Sequence, residues 1–417
     1  DYLQIVLSPL KTVAKEDYGD ENKIESLAEN QYGEREEDDV KKRHDDHAEL
    51  NLSTYLGMTK TIHFPHSDQP TVSIILVFYN QVRLSLLCLE SIVKNADESY
   101  EIIIVDNNSS DSTSKLLKTL KNATIIRNQD NLGFVKAVNA GASRARGEYL
   151  LLLNNDATLA PKALSRGVSV FKTQKNVGAV GGKIKLLNGS LQEAGSIIWD
   201  NGACSGYGRN GDPDSPEFNF TRDVDYCSGA FLLTSTNLFQ EAGGLDEAFS
   251  PAYYEESDFC VRLQERGFRI VYEPSVEITH YEFGSTGGLQ KAKLLQAKHR
   301  KDFYSKHVNY LRTQHKHSGA NFTLARFANQ YPHLLMIDDR VPHPDLGAGY
   351  PRSNDILVEL SKMPINVTFY PLLFPDDSWI DIHSTLPGNI EVMKASGKEG
   401  LLDFLTQREG CYQFIII

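Results

Sequence analysis

The residues 149–159 read "YLLLLNNDATL", an apolar run that ends abruptly in Asn154, Asn155 and Asp156. A carboxylate this close to a buried strand must be solvated, paired or holding a cation. Two further apolar runs end in the same way. "TVSIILVF" leads to Tyr79 and Asn80, and "EIIIVD" ends at Asp106. A nucleotide site at this end of a sheet would have to manage phosphate charge. The first strand is followed by "VFYNQVR" rather than G-x-G-x-x-G, and no G-x-x-x-x-G-K-[ST] loop occurs in the chain. With no glycine cradle, a divalent cation on carboxylate and amide oxygens is the remaining way to neutralise a diphosphate. The "NND" triplet supplies such oxygens where a strand ends.

These residues need a scaffold that brings strand ends together. From Thr71 onward, strand patterns ("TVSIILVF", "EIIIVD", "TIIRN", "EYLLLLNND") alternate with helical ones ("RLSLLCLESIVKNA", "DSTSKLLKTLK", "FVKAVNAGASRA"). This alternation predicts an α/β fold with a mostly parallel, Rossmann-like sheet and helices on both faces. Ligands of such sheets bind at the carboxyl ends of the strands, where Asn80, Asp106 and Asp156 all fall. Further strands are expected at "GAVGGKIKLL" and "GAFLLTS", with the Gly- and Pro-rich "DNGACSGYGRNGDPDSPEF" between them.

Four segments follow from composition. Residues 1–70 are an acidic, partly helical extension. Its residues 16–49 hold 14 Asp or Glu against 5 Lys or Arg, the composition of a solvated segment suited to docking a partner. Residues 71–290 form the main α/β domain. Residues 291–330 are a basic helical linker; within it, residues 291–317 carry 8 Lys or Arg and 4 His against Asp302 alone. Such a face is either solvated or suited to an anionic acceptor or peripheral membrane contact. Residues 331–417 start a second α/β module. The net charge of -12 argues against a nucleic-acid partner. The apolar runs are too short to span a bilayer. Five scattered cysteines without a C-x-x-C pair point to a reducing, cytoplasmic setting, at most peripheral at the inner face of the membrane, and the N-x-S/T sequons are then chance matches.

Taken in order, "TVSIILVFYN", "EIIIVDNNSSDST", "NLGFVKAVNAGASRARGEYLLLLNNDA", "DYCSGAFLL", "GGLDEAFSPAYYEESDFCVRLQERGFRIVYEP" and "ITHYEFGS" resemble family 2 of the glycosyltransferases. That resemblance covers about residues 71–290. It implies the GT-A fold and inverting, metal-dependent transfer from a nucleotide-sugar donor. By resemblance, Val77, Tyr79 and Asn80 surround the donor nucleoside and Asp106 hydrogen-bonds the base. Asn131 and Gly133 lie near the nucleotide. Asn154 and Asp156 fill the D-x-D position, with Asn155 between them on the donor side. Asp156 is the metal ligand and His280 completes the site for Mn²⁺ or Mg²⁺. Glu256 stands where the family places an Asp base, with Glu255 and Asp258 as fallbacks. "SIIWDNG" and "DYCSGAF" face the acceptor, offering Trp199 as a stacking surface and Asp225 and Glu255 as hydroxyl partners.

The donor expected is a UDP-, dTDP- or GDP-sugar, and the acceptor a glycan or lipid-linked glycan of bacterial O-antigen or capsule type. The rival reading is a non-catalytic GT-A module that binds glycan or scaffolds a neighbouring transferase. From "HLLMIDDRVPHPDLGAGYPRSNDILVELSKMPINVTFYP" onward, the chain resembles the start of a family 4 glycosyltransferase of GT-B fold, without its donor-binding half. Because "YQFIII" stops inside a strand pattern, the natural protein is expected to continue beyond Ile417.

Overall fold

The computed structural model describes residues 31–58, 60–282, 289–347, 349–373 and 377–417. The first thirty residues of the acidic extension lie outside the described residues. The chain forms two compact units, one from Asn30–Asp212 and Asp223–Asn321, the other including Pro213–Arg222 and Phe322–Ile417.

The larger unit is built on a sheet whose centre holds β1 (Val72–Phe78), β2 (Tyr100–Asp106), β3 (Ala123–Arg127) and β4 (Tyr149–Leu153). These strands are mutually parallel, in the order β4-β1-β2-β3. Val72 to Leu76 and the whole of β2 and β4 are buried, which explains their unbroken runs of Ile, Val and Leu. Helices α1 (Gln31–Gly57), α2 (Val82–Asn95) and α3 (Phe134–Ala142) accompany this half. Beyond β4 the order continues through β10 (Phe231–Ser235), β6 (Val177–Lys185) and β11 (Arg269–His280). Strand β10 is antiparallel to both its neighbours, whereas β11 runs parallel to β6. Helix α4 (Ala163–Thr173), the short strands β5 (Ala157–Leu159), β7 (Leu191–Ala194), β8 (Ser196–Ile198) and β9 (Cys204–Gly206), and helices α5 (Glu255–Gln264) and α6 (Leu289–Lys306) complete the elements used below.

Helix α1 packs onto α2 instead of standing free. Ala48, Leu52 and Tyr55 are buried, Asp45 pairs with Arg83 at 2.9 Å, and Asn51 donates to Glu90 at 2.8 Å. Asp45 also accepts from the Tyr281 hydroxyl at 3.0 Å. The part of the acidic extension that is described is thus an element of the domain.

The smaller unit has four parallel strands, β12 (His333–Asp338), β13 (Asn366–Pro371), β14 (Glu391–Val392) and β15 (Phe414–Ile416), in the order β14-β13-β12-β15. Its core contains Glu391, held between the guanidinium groups of Arg326 and Arg408 at 2.6–2.9 Å. Among the described residues, no helix is long and apolar enough to cross a membrane.

Candidate active site

Because β1, β2 and β4 run parallel, their carboxyl ends share one edge of the sheet, and three groups of polar side chains gather there. At the end of β1, Asn80 and Gln81 adopt left-handed backbone conformations (φ 58° and 56°), which turn the chain sharply into α2. The Asn80 side chain accepts from the Ser110 amide at 2.8 Å, and Asp106, buried at the end of β2, accepts from the Ser109 amide at 3.0 Å. Val77 and Tyr79 flank this turn, half-buried. Asn107 extends the group. Its amide donates to the Asn131 side chain (2.8 Å) and the Gly133 carbonyl (3.1 Å), while its oxygen accepts from Asn128 and the Leu132 amide. Gly133 has φ +83° and lies so close to Pro251 that an added Cβ would stand 2.6 Å from the proline Cβ, so only glycine fits.

The second group follows β4. A turn closed by the Ala157 amide on the Asn154 carbonyl (3.1 Å) reverses the chain into β5. Strand β5 then pairs antiparallel with the end of β11, setting Ala157 opposite His280. That register carries Asp156 to the imidazole: His280 Nε2 lies 3.1 Å from Asp156 Oδ1 and 3.2 Å from the Asn154 amide nitrogen. The other ring nitrogen, Nδ1, meets Gln192 Oε1 of β7 at 2.9 Å. Burial disfavours the charged imidazole, but the Asp156 carboxylate outweighs burial and raises the His280 pKa above its ordinary value. A ring that donates through Nδ1 turns its Nε2 toward a carboxylate, so the gap between them calls for a positive charge, a proton or a metal ion. A separation of 3.1 Å suits two neighbouring ligands on an ion about 2.1 Å from each. The residues therefore fit a divalent cation held by Asp156 and His280, with Gln192 accepting from the far ring nitrogen and so fixing the imidazole's orientation. Among the described residues, no three His, Cys, Asp or Glu side chains converge as a closed metal cage. Any ion here would complete its coordination with donor oxygens and water. A cavity of about 260 Å³ adjoins Asp156, lined also by His44, Leu84, Leu87, Thr158, Leu187 and Thr279.

The third group is acidic. Glu255 and Glu256 open α5, directly after Tyr253 and Tyr254, both left-handed at φ 74°. One carboxylate oxygen of each glutamate is buried without a hydrogen-bond partner. Burial raises the pKa of both, and at Glu255 the neighbouring Glu256 charge adds to it. Glu193, on β7 beside Gln192, is pushed up to about 7 by burial and by the nearby Glu256; it also feels His280. A carboxylate with a raised pKa is suited to take a proton near neutral pH.

The structure separates several expected residues from this chemistry. Asp258 is fully buried and paired with Arg262, Lys306 and His307. Burial pushes its pKa up, but the His307 hydrogen bond and the Arg262 charge outweigh that and hold it low. Asp258 is thus a structural anion rather than a fallback base. Trp199 does not offer an open face for a sugar: it is fully buried, its ring stacks on His317 at 4.9 Å, and its Nε1 donates to Ser205. Asp225 is likewise buried, accepting from the Ile198 amide (2.8 Å) and the Tyr310 hydroxyl (3.2 Å). Burial raises it to about 7. Its oxygens serve the fold, not an acceptor hydroxyl. Asn155 points inward, donating to Ser85 at 2.9 Å. Glu255 is buried more deeply than Glu256. Asn107, Gln192 and Glu193 have no counterpart among the residues the sequence singles out. Of the three, Asn107, inside "VDNNSS", adjoins such a residue, Asp106.

Residues 73–216 match the model of the family described as Glycosyl transferase family 2. The match supports a family 2 glycosyltransferase, and the mostly parallel sheet described above is the α/β architecture expected of one. The uncharacterized protein y4gI of Sinorhizobium fredii (strain NBRC 101917 / NGR234) is 26% identical over 236 residues, covering 54% of this chain and 26% of that protein. The O-antigen biosynthesis protein RfbC of Myxococcus xanthus is 28% identical over 235 residues, covering 54% of this chain and 18% of that protein. The chain therefore spans about a quarter or less of the length of these two relatives. A crystal structure of GalNAc-T7 with UDP, GalNAc and Mn²⁺ superposes with a TM-score of 0.48 at 16% identity, covering 58% of this chain and 50% of the other.

Proposed function

We propose that this chain is a metal-dependent inverting glycosyltransferase that moves a sugar from a nucleotide-sugar donor to a growing bacterial surface glycan. The observation that carries the reading is the Asp156–His280 pair, set at 3.1 Å by the pairing of β5 with β11 at the end of a buried strand. Asn80, Asp106, Asn131 and Gly133 would bind the nucleotide, and Asn154 the donor side of the ion. Asp156 and His280 would hold Mn²⁺ or Mg²⁺, whose charge eases departure of the nucleoside diphosphate. Glu256 takes the proton from the acceptor hydroxyl as its oxygen bonds to the anomeric carbon from the face opposite the leaving diphosphate. One displacement inverts that carbon. The similarity to an O-antigen biosynthesis protein supports a polysaccharide acceptor.

The smaller unit is proposed to be the N-terminal half of a GT-B module, on the strength of its four parallel strands. A cytoplasmic location at the inner membrane face is proposed as well. Leu294 and Tyr304 are exposed on α6 alongside Lys298 and Lys301, a surface suited to anionic lipid. Nucleotide release from UDP-, dTDP- and GDP-sugars tests the catalytic reading. Turnover of one of them by the purified chain is expected. Binding of a glycan without release of nucleotide from any donor would favour the non-catalytic module instead.

A further inference from the structure

Helix α6 reads in the sequence as a charged surface, yet it sends His299 and Phe303 deep into the domain. His299 is fully buried. Its Nδ1 lies 3.1 Å from the Ala252 carbonyl and 3.0 Å from the Tyr253 carbonyl, so that nitrogen carries the hydrogen and shares it between two acceptors. Nε2 has no hydrogen-bond partner, and the ring meets Phe249 edge-on at 5.8 Å. The two carbonyls belong to the segment that delivers Glu256. Tyr253 and Tyr254 follow in a left-handed conformation, which non-glycine residues adopt only when their surroundings enforce it. The enforcement is visible on every side. The Pro251 carbonyl accepts from the Phe134 amide at 2.7 Å, next to Gly133. The Tyr254 hydroxyl donates to the Gly202 carbonyl at 3.0 Å, and its ring packs on Phe303 of α6. Past Glu256, His307 holds Asp258 at 2.8 Å. His299 adds a side-chain hydrogen bond to this set, on the carbonyls of Ala252 and Tyr253.

We propose that His299 is a positioning residue for the reaction: its bifurcated hydrogen bond to Ala252 and Tyr253 locks the strained turn that aims Glu256 at the acceptor. The inference rests on the assignment of Glu256 as base. It makes α6 part of the catalytic unit, with its inward face fixing the base and its outward face left to the surface. A shift of about 1 Å in a reacting group can cost on the order of 10²-fold in rate, so losing this lock should lower kcat while leaving donor binding nearly intact.

Three variants test it. His299→Leu removes the donor, His299→Phe removes it while keeping a ring against Phe249, and His299→Asn places an amide nitrogen where Nδ1 stands. Substrate is whichever of UDP-glucose, UDP-GlcNAc, GDP-mannose and dTDP-rhamnose the wild type hydrolyses fastest. Amide hydrogen exchange over residues 252–257 is measured beside kcat and KM. The expectation for Leu and Phe is faster exchange confined to that segment, a kcat lower by roughly ten- to a hundredfold, and a KM within about twofold of wild type. His299→Asn should recover most of both losses. Wild-type exchange and kcat in the Leu or Phe variant would overturn the proposal. So would an Asn variant no better than Phe, or faster exchange spread over the whole domain. Glu256→Gln, run in parallel, separates the two claims. If it keeps the wild-type rate, the base assignment fails, while exchange at 252–257 still decides whether His299 locks the turn.

Discussion

Replacing Gln192 with Leu should weaken metal binding without touching a metal ligand. Gln192 Oε1 receives the Nδ1 hydrogen of His280 at 2.9 Å, and both side chains are buried. Leucine nearly fills the same volume but accepts nothing, so the imidazole either keeps a buried, unpaired N–H or turns its ring. The first costs about 1–3 kcal/mol. At about 1.4 kcal/mol per tenfold, that is a roughly five- to 150-fold weaker site, in line with the roughly 10–100-fold typical when a hydrogen-bond partner of a metal-bound histidine is lost. Calorimetric titration of Mn²⁺ into the protein, with saturating UDP or GDP, reads this directly. Gln192→Glu keeps an acceptor and should bind at least as well as wild type. If Gln192→Leu binds Mn²⁺ with wild-type affinity, His280 is not a ligand and the metal site has been drawn in the wrong place.

Glu256→Gln keeps the size of the side chain and removes its basicity, so transfer should fall about 10²–10⁴-fold while calorimetric nucleotide affinity persists; an unchanged rate would move the base elsewhere. Because burial raises the Glu256 pKa, the acid limb of the wild-type rate profile should lie above the ordinary glutamate range of about 4.3, the rate falling as pH drops through the raised value. In the smaller unit, Arg326 and Arg408 outweigh burial and hold the Glu391 pKa far below its ordinary value. The stability this contributes is fully present above the unfolded glutamate pKa and is lost as pH falls below it. Glu391→Gln should cost that unit about 3–5 kcal/mol at neutral pH, as expected when one partner of a buried ion pair is removed, measured by urea denaturation.

Much of this site can be found from sequence because its signals are local. An unbroken run of leucines marks β4 as a strand buried on both faces, and a carboxylate three residues past its end announces chemistry. The parallel alternation likewise places Asn80 and Asp106 at the same edge. What could not be read depends on contacts between distant segments. The approach of His280 to Asp156, which only the family resemblance implies, requires β5 to turn back onto β11, and nothing in "DATLAPK" signals that pairing. Gln192 sits in an ordinary alternating strand, and its role exists only because β7 runs beside the end of β11. Helix α6 misleads in another way. Counting charges treats the histidines and lysines of residues 291–317 as one surface, solvated or facing an anionic partner, yet His299 of α6 and His307 just past it are buried and Lys306 reaches Asp246 and Asp258. Trp199 and Asp225, in "SIIWDNG" and "DYCSGAF", have residue types suited to an acceptor, and type alone does not distinguish a ring open to a sugar from one packed on His317.

The central claim is that Asp156 holds the ion that lets a nucleotide sugar react. Its most direct test is nucleotide release from the preferred sugar donor by wild type and Asp156→Ala, each with Mn²⁺ and with excess EDTA, after circular dichroism has shown the variant folded. The account predicts turnover by wild type with Mn²⁺ alone, restored when Mn²⁺ is added back after EDTA, and background release in the other three conditions. Full turnover by Asp156→Ala, or by wild type in EDTA, would contradict it.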